Sequence, residues 1–297
     1  MPPLLTLLRQ RVLLLDGAMG TLLIDRGLGR GASPEGWNLE RPELVRSVHQ
    51  AYYEAGSDVV QTNTFGGNRH RLEHYGLGGR VREVNRRAAA LAREVCPAGR
   101  FVAGNIGPSG RFLPPVGDFT PARLEEAFAE QAEALAEGGV DLISIETMSD
   151  VREAVCALRA ARRVSGLPVF ACLTFSRIPR GFFTTWGNGV ESGVKALEEE
   201  GAEVIGANCT LDAPDMAELA PRLRAASGRP VLVKPNAGQP RLEDGRVTYA
   251  GRGAGFVADV ERMLDAGVAV VGGCCGTTPE TIREVAALLR RRRGASA

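Results

Sequence analysis

The sequence predicts an α/β fold, a single (β/α)₈ barrel over residues 1–297, and three observations support that fold class. Eight short apolar runs rich in β-branched residues occur along the chain, and most precede a longer segment with helical periodicity. Eight is the number of units that closes a barrel of parallel strands, and the chain length suits one such barrel. Polar residues stand at the end of every run. The alternation also leaves a doubly wound sheet open, but the count of eight favours the TIM barrel architecture.

The elements follow in order along the chain. The eight predicted strands are residues 12–15, 58–61, 101–103, 141–145, 169–173, 204–207, 231–233 and 268–271. The segments with helical periodicity are residues 42–55, 80–96, 121–137, 151–164, 189–200, 214–226, 255–266 and 279–292. Proline near the first turn of several segments and glycine after several others are typical of helix boundaries. Residues 290–297, which follow or overlap the last segment, are interpreted as a frayed tail or the start of a linker.

Composition excludes several classes of protein. The formal net charge is +1, with 24% charged residues, so the chain has no strong positive field to attract nucleic acid or an anionic membrane. Its longest apolar runs fall far short of the roughly 20 residues that a membrane-spanning helix needs. The N-terminus lacks the basic start and the cleavage site of a signal peptide. We therefore expect a cytoplasmic protein that binds neither nucleic acid nor membrane.

Three cysteines stand where strands end. Cys274 and Cys275 lie side by side in Val-Val-Gly-Gly-Cys-Cys-Gly-Thr-Thr-Pro, and Cys209 lies in Gly-Ala-Asn-Cys-Thr. Neighbouring side chains on a regular strand point to opposite faces, so aiming both Cys274 and Cys275 at one ion needs the unusual backbone that the flanking glycines allow. Three thiolates from two strand ends predict a zinc site with an open fourth position, which is typical of catalysis. The alternative is that they are small buried residues.

The remaining cysteines and the histidines are not predicted to be ligands. Cys96, Cys156 and Cys172 fall in helical or mid-strand segments and are interpreted as core residues. The three histidines, His49, His70 and His74, lie on or near helical segments, and we expect them at the surface or in packing contacts.

Taken together, the motifs at the strand ends resemble the homocysteine S-methyltransferase family. They are Asp16-Gly-Ala-Met-Gly-Thr21, Gln61-Thr-Asn-Thr-Phe65, Glu146-Thr147, Gly206-Ala-Asn-Cys209, Lys234-Pro-Asn-Ala-Gly238 and Gly272-Gly-Cys-Cys-Gly-Thr277. The resemblance covers essentially the whole chain. It is greatest to the branch that forms the N-terminal, homocysteine-binding module of cobalamin-dependent methionine synthase, on the motifs Pro-Asn-Ala-Gly and Gly-Gly-Cys-Cys-Gly-Thr-Thr-Pro.

The resemblance implies a zinc-dependent methyltransferase that forms methionine from homocysteine. It implies that Cys209, Cys274 and Cys275 are the zinc ligands and that the loops after the first and fourth strands hold the amino acid part of homocysteine. The implied methyl donor is methylcobalamin. It would be free or presented by a corrinoid-bearing domain, because this sequence lacks the Asp-x-His-x-x-Gly motif of cobalamin-binding modules. Residues 174–187 depart from the resemblance, because they match none of the family's motifs.

The chemistry of homocysteine suggests further contacts. Glu146 and Asp16 are candidate acceptors for its ammonium, and backbone amides of Gly17, Ala18 and Met19 are candidate donors to its carboxylate. For Asp16 and Glu146 the alternative is a structural role, as a cap of the turn in the case of Asp16. Asn63 and Asn208 are candidates for binding substrate or for bracing loops. Lys234 is interpreted as a partner of Asn236 or as a charge on the rim.

Three alternatives stay open at this point. The acceptor could be another thiol or a selenol. The donor could be S-methylmethionine or betaine, acting on a standalone enzyme. The chain could also be a substrate-binding module that is inactive without partner domains.

Overall fold

The computed structural model of the chain describes residues 3–29, 31–243 and 246–295. Within them, eight parallel strands form one sheet in the order β1-β8-β7-β6-β5-β4-β3-β2. The strands are β1 (Leu13–Leu14), β2 (Val59–Gln61), β3 (Phe101–Ile106), β4 (Leu142–Met148), β5 (Val169–Leu173), β6 (Val204–Asp212), β7 (Val231–Asn236) and β8 (Val270–Val271). A parallel bridge between Leu15 and Val59 joins the first strand to the second. The sheet is therefore a closed (β/α)₈ barrel, as the sequence predicts.

In the described part of the chain, seven principal helices connect successive strands and an eighth follows β8, so that eight helices surround the barrel. They are α1 (Pro42–Ala55), α2 (Val81–Glu94), α3 (Pro121–Glu137), α4 (Val151–Ser165), α5 (Val190–Glu199), α6 (Ala213–Ala226), α7 (Ala254–Asp265) and α8 (Pro279–Ala295). Among the described residues, no helix is both long enough and apolar enough to cross a membrane.

Local chemistry explains where several helices begin and end. The Asp150 carboxylate accepts the Arg152 N–H at 2.8 Å, and the Thr120 hydroxyl accepts the Arg123 N–H at 3.3 Å, so each side chain caps a helix start. At the other end of α1, Gly56 adopts a left-handed conformation (φ 112°), which glycine does without the steric cost of a Cβ atom.

The barrel interior is filled by apolar side chains from successive strands. The strands are apolar along most of their length because parallel strands in such a barrel are covered on both faces. Leu13, Val59, Leu142 and Phe170 belong to one buried cluster, which also takes in Leu4 and Leu8 of a helix at Pro3–Gln10. That N-terminal helix, which the sequence interpretation missed, thus covers the amino-terminal end of the barrel. The opposite, carboxyl end is left for the site.

The structure adds elements between the predicted ones. Additional short helices are Met19–Asp25, Trp37–Glu40, Arg69–Glu73 and the 3₁₀ helix Gly78–Arg80. Two antiparallel hairpins join Ser176–Ile178 to Gly181–Phe183 and Pro240–Glu243 to Arg246–Tyr249. The first hairpin occupies the segment that matched no motif. At the C-terminus, residues 290–295 continue α8, and the rest of the predicted linker, residues 296 and 297, lies outside the described residues.

Candidate active site

A pocket of about 300 Å³ opens at the carboxyl end of the barrel. The loops and strand ends that line it come from most of the barrel, which is the place that the strand-end polar residues predict. Predicted site residues that line it are Asp16, Gly17, Ala18, Met19, Asn63, Glu146, Cys209, Cys274 and Cys275. The structure therefore brings together side chains that are separated by up to 259 positions in the sequence, from Asp16 to Cys275.

The three predicted ligand cysteines converge on one side of this pocket. The sulfurs of Cys209, Cys274 and Cys275 all lie within 4.8 Å of one another, and the Cys209 and Cys275 sulfurs are 3.8 Å apart. Four sulfurs around Zn²⁺ at the usual Zn–S distance of roughly 2.3 Å would stand about 3.8 Å apart. The spacing and the thiol chemistry of the cluster therefore fit a tetrahedral zinc ion with one position left for another ligand.

Each thiol has a raised pKa in this cluster. A hydrogen bond with Cys274 lowers the pKa of Cys209, but a hydrogen bond with Cys275 and burial outweigh it and raise the value to about 11. For Cys275, the hydrogen bond with Cys209 lowers the pKa, whereas Cys274 and burial raise it to about 12. The Cys209 contact and burial likewise raise the pKa of Cys274. Three thiolates so close together need a cation to hold them, and binding a metal would release their protons.

Backbone irregularities in β4 and β6 set the direction of the side chains at the site. The pairing of β4 with β5 shifts register between Ile145 and Met148, and that of β6 with β7 shifts between Asn208 and Asp212. Thr147 and Cys209 both lie at φ 60°, an unusual value for residues other than glycine. Bulges of this kind commonly redirect side chains beside active sites. Sequence patterns gave no sign of these two irregularities.

The glycines around Cys274 and Cys275 are required, although not all for the predicted reason. Gly276 has a left-handed backbone (φ 78°), and a Cβ atom there would lie 2.2 Å from the Tyr249 ring. A Cβ atom on Gly273 would lie 2.3 Å from the Thr277 hydroxyl. Gly273 thus permits close packing, whereas Gly276 also permits the turn. Tyr249, which the sequence motifs did not indicate, packs against this loop, and burial, together with the neighbouring Cys275, raises the pKa of its hydroxyl to about 12.

Glu146 lies in the floor of the pocket and is paired across the barrel with Lys234. The Lys234 ammonium donates to Glu146 Oε2 at 2.7 Å, and the side chains are only 4% and 9% exposed. Gln61 donates to the same oxygen at 3.1 Å, and Asn105 donates to Oε1 at 2.9 Å. Lys234 also contacts the Gln61 side-chain oxygen. Lys234 is therefore neither a charge on the rim nor a partner of Asn236, and both of those interpretations are wrong.

This network keeps both members of the pair charged. Burial alone would raise the pKa of Glu146, but the charge of Lys234 and the hydrogen bonds from its neighbours outweigh burial and lower it. Burial would lower the pKa of Lys234, but the charges of Glu146 and Asp16 raise it. Both oxygens of Glu146 already accept hydrogen bonds, so a substrate ammonium would add a further donor to an existing network.

Asp16 has an unpartnered oxygen. Its Oδ2 accepts the Gln61 N–H at 2.7 Å, whereas its buried Oδ1 has no hydrogen-bond partner among the described residues. Burial raises the pKa of Asp16 to about 7, against the opposing effects of the Lys234 charge and the Gln61 hydrogen bond. The buried Oδ1 of Asn105, another residue that lines the pocket, is likewise unpartnered in the described chain. Two acceptors thus lack a donor in one pocket.

The turn after β1 supplies backbone amides to the same pocket. The short helix Met19–Asp25 begins there, and the first N–H groups of a helix have no partner within it. The Ala18 N–H instead donates to the Thr277 hydroxyl at 3.1 Å, so this one predicted donor is already in use. The amides at and after Met19 are the better candidates for an anionic group.

The asparagines chiefly brace the loops. Asn63 donates to the Pro34 carbonyl at 2.6 Å and to Asn38 at 3.0 Å. Asn208 is fully buried behind the pocket, where it bonds to Thr147 and donates to the Cys274 sulfur at 3.7 Å. The Asn236 side chain accepts the Cys275 N–H at 3.1 Å. A direct contact of Asn63 or Asn208 with substrate stays a prediction.

Residues expected to lie outside the site do so. In the described chain, none of the histidines lines the pocket, and His49 is buried in α1, where burial lowers its pKa to about 4. Cys156 and Cys172 are buried as predicted, whereas Cys96 is half-buried in the loop just after α2 ends and is not a core residue.

The chain is similar in sequence to two curated proteins that are both named methionine synthase. The methionine synthase of Mycobacterium tuberculosis is 36% identical over 308 residues, which cover 96% of this chain and 25% of that protein. The methionine synthase of Mycobacterium leprae is 35% identical, over 97% of this chain and 25% of the relative. The chain thus spans about a quarter of the length of these curated relatives.

Solved structures share the fold over nearly the whole chain. The metallated form of the homocysteine methyltransferase MmuM from Escherichia coli superimposes with a TM-score of 0.81 at 24% identity, covering 96% of this chain and 99% of that one. A methyltransferase from Methanosarcina mazei has a TM-score of 0.61 at 15% identity, covering 99% and 98%. At these identities the likeness supports the fold. A family model described as homocysteine S-methyltransferase matches residues 13–289. The chain therefore belongs to the homocysteine S-methyltransferase family, which confirms both the family and the enzyme class, a methyltransferase, that its motifs predict.

Proposed function

We propose that this chain transfers a methyl group to the sulfur of homocysteine, forming methionine, with Zn²⁺ held by Cys209, Cys274 and Cys275. The observation that carries this proposal is the cluster of three thiols within 4.8 Å of one another in a pocket that also contains buried acceptors. Membership of the homocysteine S-methyltransferase family supports the same substrate and product.

The two ends of the substrate would be held by different parts of the pocket. Its ammonium would donate to the unpartnered Oδ1 of Asp16 and lie against Glu146, because these carboxylates and the Asn105 oxygen are the acceptors that line the pocket near one another. Its carboxylate would accept hydrogen bonds from backbone amides at the start of the Met19–Asp25 helix. Fixing both ends would direct the thiol toward the three cysteines.

The reaction needs a thiolate at neutral pH. The reference pKa of a free thiol is about 8.5, so only a small fraction is ionised. When bound, zinc would hold the substrate sulfur in its deprotonated form. The protein's own part is to supply the ligands, to fix the amino acid group and to enclose the sulfur in a largely buried pocket. The sulfur then forms a bond to the methyl carbon, the bond between methyl and donor breaks, and the donor keeps the electron pair.

We propose methylcobalamin as the methyl donor, supplied free or by a corrinoid-bearing domain. The relatives named methionine synthase support this choice, since this chain matches only a quarter of their length. The loop after β3 also exposes the apolar side chains of Phe112 (55%) and Val116 (63%) at the pocket end of the barrel, where the flat corrin ring of the donor would approach. We also propose that residues 1–297 act as one module in the cytoplasm, without nucleic acid or membrane as a partner.

A second candidate is a standalone enzyme that uses S-methylmethionine or betaine. The observation in its favour is that the MmuM structure, named a homocysteine methyltransferase, is matched over 99% of its chain by this one. The zinc site and the homocysteine contacts would be the same in both candidates. A selenol acceptor, or a binding module that is inactive alone, would also use the same residues.

An assay of the purified chain with several donors tests the proposal. Zinc-loaded protein and homocysteine are incubated with methylcobalamin, S-methylmethionine, betaine or methyl-tetrahydrofolate, and methionine is quantified by mass spectrometry. We expect methionine from methylcobalamin and none from methyl-tetrahydrofolate alone, whose methyl group is on a poor leaving nitrogen. The Cys274→Ser variant is the matched control for uncatalysed transfer.

The outcomes separate the candidates. Much faster turnover of S-methylmethionine or betaine would favour the standalone enzyme over the module. Homocysteine binding, measured by calorimetry, without turnover of any donor would favour a module that needs partner domains. Failure to bind homocysteine at all would contradict the proposed function in every form.

A further inference from the structure

A second cavity, of about 140 Å³, lies at the amino-terminal end of the barrel, opposite the active-site pocket. Arg11 and Arg100 border it from the segments that lead into β1 and β3, and Asp58 borders it from the start of β2. Arg290 and Arg293 border it from the last turns of α8. Four arginines and one carboxylate thus surround one concave space, in a chain whose formal net charge is only +1.

Asp58 organises two of these arginines. It is only 2% exposed, and its carboxylate accepts two hydrogen bonds from Arg11, at 2.6 and 2.8 Å, and one from Arg100. It also accepts the Leu14 N–H at 3.0 Å, which ties the carboxylate to the barrel. The bidentate pair holds the Arg11 guanidinium in a fixed orientation. Two of the cations in the cavity wall are therefore preorganised.

The other two arginines have no such partner. Within the described residues, Arg290 and Arg293 make no ion pair or hydrogen bond, whereas Arg292 in the same turns pairs with Asp265 at 2.7 Å. One carboxylate against four guanidinium groups leaves three positive charges around the cavity. Burial and then the charges of Arg11, Arg100 and Arg290 lower the pKa of Arg293, which is the direction expected where cations crowd one another.

From this geometry we infer that the cavity binds a small multivalent oxyanion of the phosphate class, either inorganic phosphate or the phosphoryl group of a phosphate ester. Guanidinium groups match such oxygens with paired hydrogen bonds. The cavity is roughly ten times the 10–15 Å³ that one water needs, which suits a small anion with some of its waters. The site is independent of the proposed methyl transfer, since it lies at the other end of the barrel.

The attraction of arginines to the C-terminus of a helix offers a different explanation for the charges on α8. That effect would act on Arg291 as much as on Arg290 and Arg293, because all three belong to the last turns of the same helix. Arg291 is exposed and does not line the cavity. It therefore provides a matched control with the same residue type, helix and charge.

The test is calorimetric titration of the full chain with inorganic phosphate and, separately, with glycerol phosphate, at constant ionic strength set with chloride. We expect saturable binding to the wild type and to Arg291→Gln. The double variant Arg290→Gln/Arg293→Gln should bind at least about tenfold more weakly, since each arginine contributes charge-assisted hydrogen bonds. Circular dichroism checks that the variants fold.

Each result has a definite meaning. Tighter binding of the free ion or of the ester would identify the source of the phosphoryl group and support the site. No saturable binding of either probe would overturn the inference. Weakening in Arg291→Gln by at least half as much, in binding free energy, as in the double variant would also overturn it, because the double variant removes two charges and the control one, and net charge alone would then explain the binding.

Discussion

Thr147 and Asn208 hydrogen-bond each other twice and so join the irregular segments of β4 and β6. The Thr147 N–H donates to Asn208 Oδ1 at 2.7 Å, and the Asn208 amide donates to the Thr147 hydroxyl at 2.7 Å. Glu146 precedes Thr147, and Cys209 follows Asn208. The pair therefore fixes the distance between the carboxylate end of the pocket and the cysteine cluster.

Asn208→Ala should reduce zinc affinity by about 10-fold to 100-fold, the range observed when a residue that supports metal ligands is removed. The physical reason is the loss of the brace on Cys209 and of the contact with the Cys274 sulfur. Competition with a chromophoric chelator measures the affinity. Asn63→Ala, which removes a brace from other loops, should leave zinc affinity within a fewfold of wild type. Equal affinity in both variants would contradict the bracing role.

Replacing any one of Cys209, Cys274 and Cys275 by serine should abolish stoichiometric zinc binding, because only two thiolates would remain. Elemental analysis of the purified proteins gives the metal content directly. Cys96→Ser is the control, since Cys96 is half-buried and does not line the pocket. Full zinc retention in all three ligand variants would show that the cluster is not a metal site.

Glu146→Ala should weaken homocysteine binding by about 10-fold to 150-fold while leaving zinc content unchanged. The loss of a charged acceptor for the ammonium removes roughly 1.5–3 kcal/mol of hydrogen bonding but no metal ligand. Calorimetry with homocysteine and elemental analysis give the two readouts. Parallel loss of zinc, or unchanged affinity for homocysteine, would assign Glu146 a purely structural role.

The same substitution should also destabilise the fold, and a second variant separates the two effects. Removal of Glu146 leaves the buried ammonium of Lys234 without its counter-charge, which typically costs about 3–5 kcal/mol. Glu146→Ala/Lys234→Met removes both charges and should recover part of that stability in urea denaturation. Homocysteine binding should stay weak in the double variant, since the acceptor is still absent.

Asp16→Asn should stabilise the protein at pH 8 while weakening homocysteine binding. Because the folded pKa is raised from 3.8 to about 7, the contribution of Asp16 to stability is fully present below pH 3.8 and is lost as the pH rises through 7. The neutral amide avoids that loss, which amounts to at most about 4 kcal/mol above pH 7. Urea denaturation of both proteins between pH 5 and 8 should show a difference that grows with pH. A constant difference would contradict the raised pKa.

Gly276→Ala should disturb the cysteine loop. An alanine Cβ would collide with the Tyr249 ring and would also occupy a left-handed backbone, so we expect weaker zinc binding and lower stability. Gly187→Ala is matched in backbone, at φ 81°, but a Cβ there meets nothing within 4 Å. That control should lose only about 1 kcal/mol and keep its zinc. Similar losses in both variants would mean that the contact with Tyr249 is unimportant.

The sequence alone determined the architecture and the end of the barrel at which the site lies. Apolar runs and helical periodicity are local properties, so α1 and α3 have the bounds that their prolines and glycines predict. Because parallel strands bring their carboxyl ends to one rim, residues after separate strands could be assigned to one pocket before any distance was known. The position of Cys209 relative to Cys274 and Cys275 follows from that rule.

Only the tertiary structure decided which side chains pair and how their pKa values shift. Lys234 reaches Glu146 because closure of the barrel sets β7 across from β4, and no local pattern contains that distance. Burial, which raises the pKa of Asp16 to about 7, likewise depends on every element around the residue. Tyr249 packs against the cysteine loop at Gly276 because its hairpin folds back over that loop. The ends of strands can be predicted from local sequence patterns, whereas contacts across the barrel form only once the sheet has closed.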